Sequence, residues 1–552
     1  MSDLPVLSIL IAIPLVGAIV TAFLPAHLAR LAGLVFAGLT LAWGAIAAVT
    51  SYSLDGGMQL TETHAWIEAL GVHYALGVDG LGLLMVLLTA VLVPVVLVAS
   101  WHEADELGNS GSRTFVAWVL ALEAMSLAVF SATDVFLFYV VFEATLIPAY
   151  FLIGGFGRIG RGRAATKFLI YQLAGGLIML GSVIGLYVVS ANSGNPSFLL
   201  SDLAALDIDP ITQRWLFVGF FIAFAIKAPM FPVHTWLADT TEKATTGTSV
   251  LLVCVLDKIG TFGMLRFCLG LLPDASQWAT PVVVVLALIS IVYGALVAIG
   301  QDDLLRLIGL TSLSHFGFIV LGIFVFSSQG LSGSILYMVN HGIGTAALFL
   351  AAGYLVRRRG TASIRLMGGG MEKVAPVLAG AFLISALAAA GLPGLSPFVS
   401  EMLVIIAAFD HAWWAGAIAV TAIVLAAIYA LWMYQRAMTG PGAVDLVDAH
   451  TDAQPVTVGA AGGTGSGSHP AVPGVGTGSR SAVPTTSMRD LDAREVGTLA
   501  PLLLALVLLG FFPMPLLDVI NPHVADLMSD VGVSDAEPQV SGSHSSQGDT
   551  DE

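Results

Sequence analysis

Charge and thiols are what this chain has least of. Only 11% of its 552 residues are Asp, Glu, Lys or Arg, with 21 cations against 37 anions. Soluble globular domains carry about a quarter of their residues charged, so that class is excluded. The two cysteines, Cys254 and Cys268, cannot supply the four thiolates of a typical iron–sulfur cluster. Both lie in apolar runs and read as buried free thiols. No Gly-Lys-Ser/Thr follows a glycine-rich turn after a strand, which excludes a phosphate-binding loop. Cationic residues are missing before the first apolar run, so residues 4–24 read as a first membrane span and not as a cleaved signal. The net charge of -16 gathers in loops and the C-terminal tail, where it solvates the chain; no nucleic-acid partner is expected.

Hydrophobic residues are plentiful, at 57% with a mean hydropathy of +0.90. The fold class is therefore an all-α polytopic membrane protein. Apolar runs of span length number about fourteen: 4–24, 28–50, 80–100, 114–132, 134–154, 165–190, 213–237, 244–271, 279–299, 304–326, 331–356, 375–409, 413–436 and 498–518. Among the Lys and Arg residues, only Arg214 and Arg266 fall after even-numbered spans, and Lys227 and Lys258 lie within spans. The rest follow odd-numbered ones. By the positive-inside rule this places both termini on the outer side. The stretch 440–497, with Ala460-Ala-Gly-Gly-Thr-Gly-Ser-Gly-Ser468, reads as a flexible cytoplasmic linker. Residues 524–552 read as an acidic disordered tail.

The informative polar residues are those inside spans. Lys227 sits in Phe221-Ile-Ala-Phe-Ala-Ile-Lys-Ala-Pro-Met-Phe-Pro232, where two prolines interrupt the seventh span. Charge at bilayer depth is rare and marks function by default, and broken helices persist there only beside protein or a wet cavity. Glu143 lies mid-span in a run opened by Asp134, and Lys227 is its candidate partner. Lys258 is mid-span in the eighth, beside Asp257. Glu401 follows Ala390-Gly-Leu-Pro-Gly-Leu-Ser-Pro397, which should break the twelfth span. Spans seven and twelve are five apart and so run in opposite directions, the pattern of inverted repeats with broken helices. Two five-helix units are expected, spans 4–8 and 9–13.

His234, His315 and His341 fit a proton relay, since neutral imidazole accepts and donates together. Glu123 completes the acidic candidates. No two of these histidines share ligand spacing on one helix face, so no metal site is expected. Structural roles compete: a snorkelling lysine, histidines that tie helices together, a buried ion pair without function.

In this order the residues resemble one family. Val78-Asp-Gly-Leu-Gly82, Phe142-Glu-Ala-Thr-Leu-Ile-Pro148, Lys227-Ala-Pro-Met-Phe-Pro-Val-His-Thr-Trp-Leu237 and Gly391-Leu-Pro-Gly394 with Glu401 are similar to the antiporter-like membrane subunits of proton-pumping NADH:quinone oxidoreductase, respiratory complex I. The M, or chain-4, type is the nearest, because its sisters L and N usually carry lysine where Glu401 stands. The resemblance covers about residues 1–440 and the last span. It implies N-terminal helices over 1–112, antiporter-like repeats over 113–272 and 273–439, and a last helix over 498–523. It also implies a proton-translocating role in a bacterial cytoplasmic membrane, with L and N subunits and the lipid bilayer as partners. No cofactor is expected in this chain, and redox chemistry is expected elsewhere. Glu143 and Lys227 would be the modulating pair, Lys258 the central relay, His315 and His341 the axis, and Glu401 the outer terminus. A subunit of an Mrp-type cation/proton antiporter is the alternative. Two departures stand out. Thr240-Thr-Glu-Lys-Ala-Thr245 lacks the family's usual histidine and proline, and Asp257 adjoins Lys258.

Overall fold

This computed structural model describes residues 4–103, 108–194, 196–440 and 489–535. Its elements form where apolar runs meet capping side chains. After α1 (Val6–Phe23) and α2 (Ala26–Thr50), strands β1 (Gln59–Ile67) and β2 (Val72–Val78) pair antiparallel. The Asp79 carboxylate then caps α3 (Gly80–Ala99), followed by α4 (Gly108–Ser131). Asp134 caps α5 (Val135–Ala144), which Thr145 separates from α6 (Leu146–Phe156). Then come α7 (Arg161–Asn192), a short α8 (Leu200–Ala204) and α9 (Pro210–Lys227), with Asp209 at its cap and Pro210 at its first position. Each cap satisfies backbone donors that the helix itself cannot.

The second half continues with α10 (Thr235–Lys243), α11 (Thr246–Leu251), α12 (Lys258–Gly263), α13 (Pro273–Ile299), α14 (Leu304–Phe324) and α15 (Ser328–Arg359). Two short turns, α16 (Ile364–Met367) and α17 (Met371–Val374), lead to α18 (Pro376–Ala389), α19 (Ser396–His411) and α20 (Trp413–Met438). The last helices are α21 (Ala493–Phe511) and α22 (Met514–Val531).

Among the described residues, twelve helices are long and apolar enough to cross a membrane. Three of them form the centre, each with an 18-residue stretch wholly buried: the composite 246–269, α14 and α15. Around these, α1, α2, α7, α13, α20 and α21 leave residues such as Ile19, Val35, Ile170, Val282, Val424 and Leu504 exposed. Such a surface requires lipid or another membrane chain. The protein is an integral membrane protein of all-α class.

Two further passages are interrupted where the sequence predicts it. The expected span 213–237 is α9 and α10 with an irregular join at 228–234, and 375–409 is α18 and α19 joined by 390–395. Backbone groups freed at the first break find partners, since Trp236 Nε1 donates to Ile226 O at 3.0 Å and Phe231 N to Ser290 Oγ at 2.9 Å.

Three features differ from the sequence expectation. The β-hairpin was not expected. The last span starts earlier than 498, since Asp492 and Glu495 form a reciprocal capping box. And α22 occupies 514–531, so the first part of the expected disordered tail is helical. The rest of that tail, 536–552, and most of the linker, 441–488, lie outside the described residues.

Candidate functional site: a buried polar axis

The three central helices carry Lys258, His315 and His341, and the geometry links these to their neighbours in two groups. In the first, Lys258 is fully buried. Its Nζ donates to Val253 O at 2.9 Å and meets His341 Nδ1 at 2.8 Å. The Val253 carbonyl is offered by a local distortion. Residues 252–256 form a π-helical turn in which Asp257 N reaches back five residues to Leu252 O. A second π-helical turn, 264–269, follows α12. Single π turns inside α-helices occur often at functional sites. Lys258 Nζ also lies over the Phe316 ring, 5.2 Å from its centroid.

The second group joins α14, α15 and α19. His315 Nδ1 is 2.6 Å from the Tyr337 hydroxyl, and that hydroxyl donates to Glu401 Oε1 in a short hydrogen bond. Tyr429 on α20 approaches His315 Nε2 at 3.4 Å. The His315 and His341 rings are 5.2 Å apart by centroid, which brings the two groups together. Asn340 Nδ2 donates to Ser396 O and Ser400 Oγ, each at 2.9 Å, and so ties α15 to the first turn of α19.

Lys227 lies apart from both groups. It is the last residue of α9, at the negative end of the helix dipole, and is buried. Its Nζ donates to Thr145 Oγ1 at 3.2 Å and sits 4.8 Å from the Phe142 centroid. Glu143, half-buried, makes no direct ion pair with it: Glu143 Oε1 has no hydrogen-bond partner and lies against Gly176 of α7. The two charges act on each other across a longer gap, with Thr145 filling the place nearest the ammonium. Asp257, buried with Oδ2 unpartnered, interacts electrostatically with both Lys227 and Lys258.

The remaining candidates do not join the axis. His234 stacks on Phe231 and meets Tyr293 edge-on, with Nδ1 unpartnered. Glu123 is buried in α4 with neither oxygen bonded. Asp134 accepts from the backbone N–H groups of Phe136, Leu137 and His73 at 2.8–2.9 Å, which is capping geometry. In the divergent 240–245 segment, Glu242 pairs with Lys243 and Arg306 at 2.6 and 2.8 Å, and Asp239 pairs with Lys167 and Arg306 at 2.6 Å each. Charged pairs therefore hold the end of α10 against α7 and α14. Sequence reasoning missed Tyr337, Tyr429 and Thr145. Only Tyr337 carried a signal, four residues before His341 and so on the same helix face.

Residues 132–426 match the family described as "NADH:quinone oxidoreductase/Mrp antiporter, TM". The chain belongs to that family. Within it, NADH-quinone oxidoreductase subunit M of Mycobacterium tuberculosis is 46% identical, over 98% of this chain and 97% of its own length. Subunit M of Rhodobacter capsulatus is 35% identical over 86% and 85%. Among solved structures, a chain of respiratory complex I from Thermus thermophilus with bound NADH aligns with a TM-score of 0.80 at 31% identity, over 96% of this chain and 100% of that one. A chain of the Mrp complex from Dietzia sp. DQ12-45-1b aligns with a TM-score of 0.79 at 23% identity, over the same shares, and shows the fold this family has in common.

Proposed function

We propose that this chain is subunit M of a proton-translocating NADH:quinone oxidoreductase and moves protons along the axis Glu143, Lys227, Lys258, His341, His315, Glu401. The observation that carries this reading is a series of ionisable groups, buried except for the half-buried Glu143, with Lys258 hydrogen-bonded to His341 and Glu401 linked to His315 through one hydroxyl. A purely structural role needs no such ordered series. The similarity to subunit M of other organisms supports the same assignment.

Redox chemistry in other subunits supplies the energy, and this chain holds no redox cofactor. Moving one charge against the membrane potential costs about 2.3 kcal/mol per 100 mV, and a chain that returns to its starting state in every cycle supplies no net free energy of its own. A shift of Glu143 relative to Lys227 changes the field on the ammonium. Weakened attraction raises the free energy of the charged form, and its proton passes toward Lys258 with Asp257 balancing the intermediate charge. The partners are sister membrane subunits of the L and N type and lipid. The membrane is the bacterial cytoplasmic membrane, with both termini on its outer side.

The test is NADH-driven acidification of inverted membrane vesicles carrying Lys227→Ala or Glu143→Gln, with assembly checked on a native gel. An assembled complex that loses both pumping and NADH oxidation is the expected result. Unchanged pumping per electron in both variants sinks the proposal, and sodium-sensitive growth of a deletion strain would then point to the Mrp-type antiporter.

A further inference from the structure

Two buried groups at the end of the axis stand too far apart to exchange a proton directly. His315 Nδ1 and Glu401 Oε1 are 3.9 Å apart, beyond hydrogen-bond reach. The Tyr337 hydroxyl lies between them, 2.6 Å from His315 Nδ1 and bonded to Glu401 Oε1. Tyr337 is fully buried. We propose that the Tyr337 hydroxyl is the proton relay between His315 and Glu401. This rests on the reading of the axis as a proton path, and it adds a catalytic residue to that path.

Hydrogen bookkeeping fixes the direction of each bond. A phenol has one hydrogen to give. When it goes to Glu401 Oε1, that oxygen is an acceptor, and in the ionised carboxyl it is free to take up the proton itself. The phenol oxygen must then accept from His315, which places a hydrogen on Nδ1. Starting from imidazolium, the His315 Nδ1–H bond breaks and its proton forms a new O–H bond on Tyr337. The hydrogen Tyr337 already held passes to Glu401 Oε1. His315 ends neutral, Glu401 ends as a neutral acid, and Tyr337 ends as it began, with one hydrogen and no charge. The same atoms serve the reverse transfer. No phenolate has to form in the apolar interior, where an unpaired charge is expensive.

The second tyrosine at His315 does not share this role. Tyr429 approaches Nε2 at 3.4 Å and Ala389 O at 3.2 Å. A carbonyl only accepts, so the Tyr429 hydrogen goes to Ala389 O, and in the imidazolium Nε2–H points to the Tyr429 oxygen; no hydrogen bond joins Tyr429 to Glu401. Tyr429 positions the His315 ring. Tyr337 also comes from the helix that carries His341, so α15 presents both the relay hydroxyl and the partner of Lys258.

The decisive variant is Tyr337→Phe in the intact complex, which keeps the ring packed edge-on against His315 and removes only the hydroxyl. NADH oxidation and vesicle acidification are expected to fall together by about a hundredfold or more, the scale of a lost acid–base step. Tyr429→Phe is expected to have the smaller effect. If Tyr337→Phe matches wild type in both readouts while Lys258→Ala abolishes them, the axis stands and the relay is overturned. If Lys258→Ala is silent too, the transport reading fails and the relay with it. Should Tyr337→Phe not assemble, 3-fluorotyrosine at position 337 keeps the hydroxyl but makes it more acidic. A changed turnover rate and solvent deuterium effect support the relay, and unchanged values overturn it.

Discussion

Both carboxylates at the ends of the axis rest against a glycine. A methyl group at Gly176 would overlap Glu143 Oε1, and one at Gly391 would overlap Glu401 Oε2. Gly391 also has φ +69, a left-handed conformation that costs a residue with Cβ about 1–2 kcal/mol. Each carboxylate thus has its position set by a missing side chain on a neighbouring segment. Gly176→Ala is expected to displace Glu143 and reduce acidification as far as Glu143→Gln does, in a complex that still assembles. Gly391→Ala should act likewise on Glu401 and also destabilise the α18–α19 join. Wild-type pumping in the Gly176→Ala complex would show that the seat is not needed. Little of this was legible beforehand. Charges stand out in apolar runs, so Lys227, Lys258, Glu143 and Glu401 were named from the sequence. Glycine and tyrosine are ordinary residues of membrane helices, and nothing in a single chain separates Gly176 from Gly181, which has open space beside it.

At the scale of elements, proline and glycine announced the two broken helices, whereas the π-helical turns around Lys258 had no such mark. The β-hairpin escaped because it sits outside the apolar runs on which span reading depends, and α22 because its first residues read as the end of the run 498–518. Pro522 and three aspartates also argue locally against a helix at 514–531. Tertiary contacts override that local signal. Asp79 Oδ2 accepts from Arg266 Nη1 at 2.5 Å and Oδ1 from Nη2 at 2.9 Å, while His523 Nδ1 of α22 is 3.0 Å from Oδ2. Burial alone would raise the Asp79 carboxyl, but Arg266 and His523 outweigh it and hold it well below its ordinary range. A depressed carboxyl contributes stability that is present above its unfolded value, about 3.9, and is lost only as pH falls through the lower folded value. Hydrogen exchange of the α22 amides should therefore be insensitive to the Asp79 carboxyl as pH falls from 7 toward 4. Asp79→Ala leaves the Arg266 guanidinium buried without its partner and should destabilise the contact of α22 with the start of α3 by about 3–5 kcal/mol, seen as faster exchange in α22 and a lower Tm. Unchanged exchange in that variant would mean α22 is held by its apolar face alone.

For the molecule as a whole, the axis and the chain that wraps it are separable. Every group proposed to carry a proton lies between Glu143 and Glu401. After α20 the chain passes through 441–488 and returns at Arg489, where it acts as a clamp. Arg358 of α15 donates to Glu495 Oε2 at 2.5 Å and Oε1 at 3.1 Å, and also to the carbonyls of Arg489 and Asp490. The Asp490 carboxylate accepts from Val377 N and Leu378 N at 2.8 and 3.0 Å and so caps α18. One short segment thereby fixes the ends of α15, α18 and α21 together, at the end of α18 opposite its join to α19. Glycine and serine recur in the sequence of 441–488, and the closure entropy of a Gly/Ser chain changes by only about 0.6 kcal/mol per doubling of its length. Replacing 441–488 by a shorter Gly/Ser tether should leave assembly, NADH oxidation and acidification at wild-type levels. Glu495→Ala in the full chain should instead lower assembly or pumping, because Arg358 keeps its burial and loses its charge partner. If the tether replacement stops pumping in an assembled complex while Glu495→Ala does not, the roles of the two segments are reversed, and the 441–488 stretch is part of the coupling machinery.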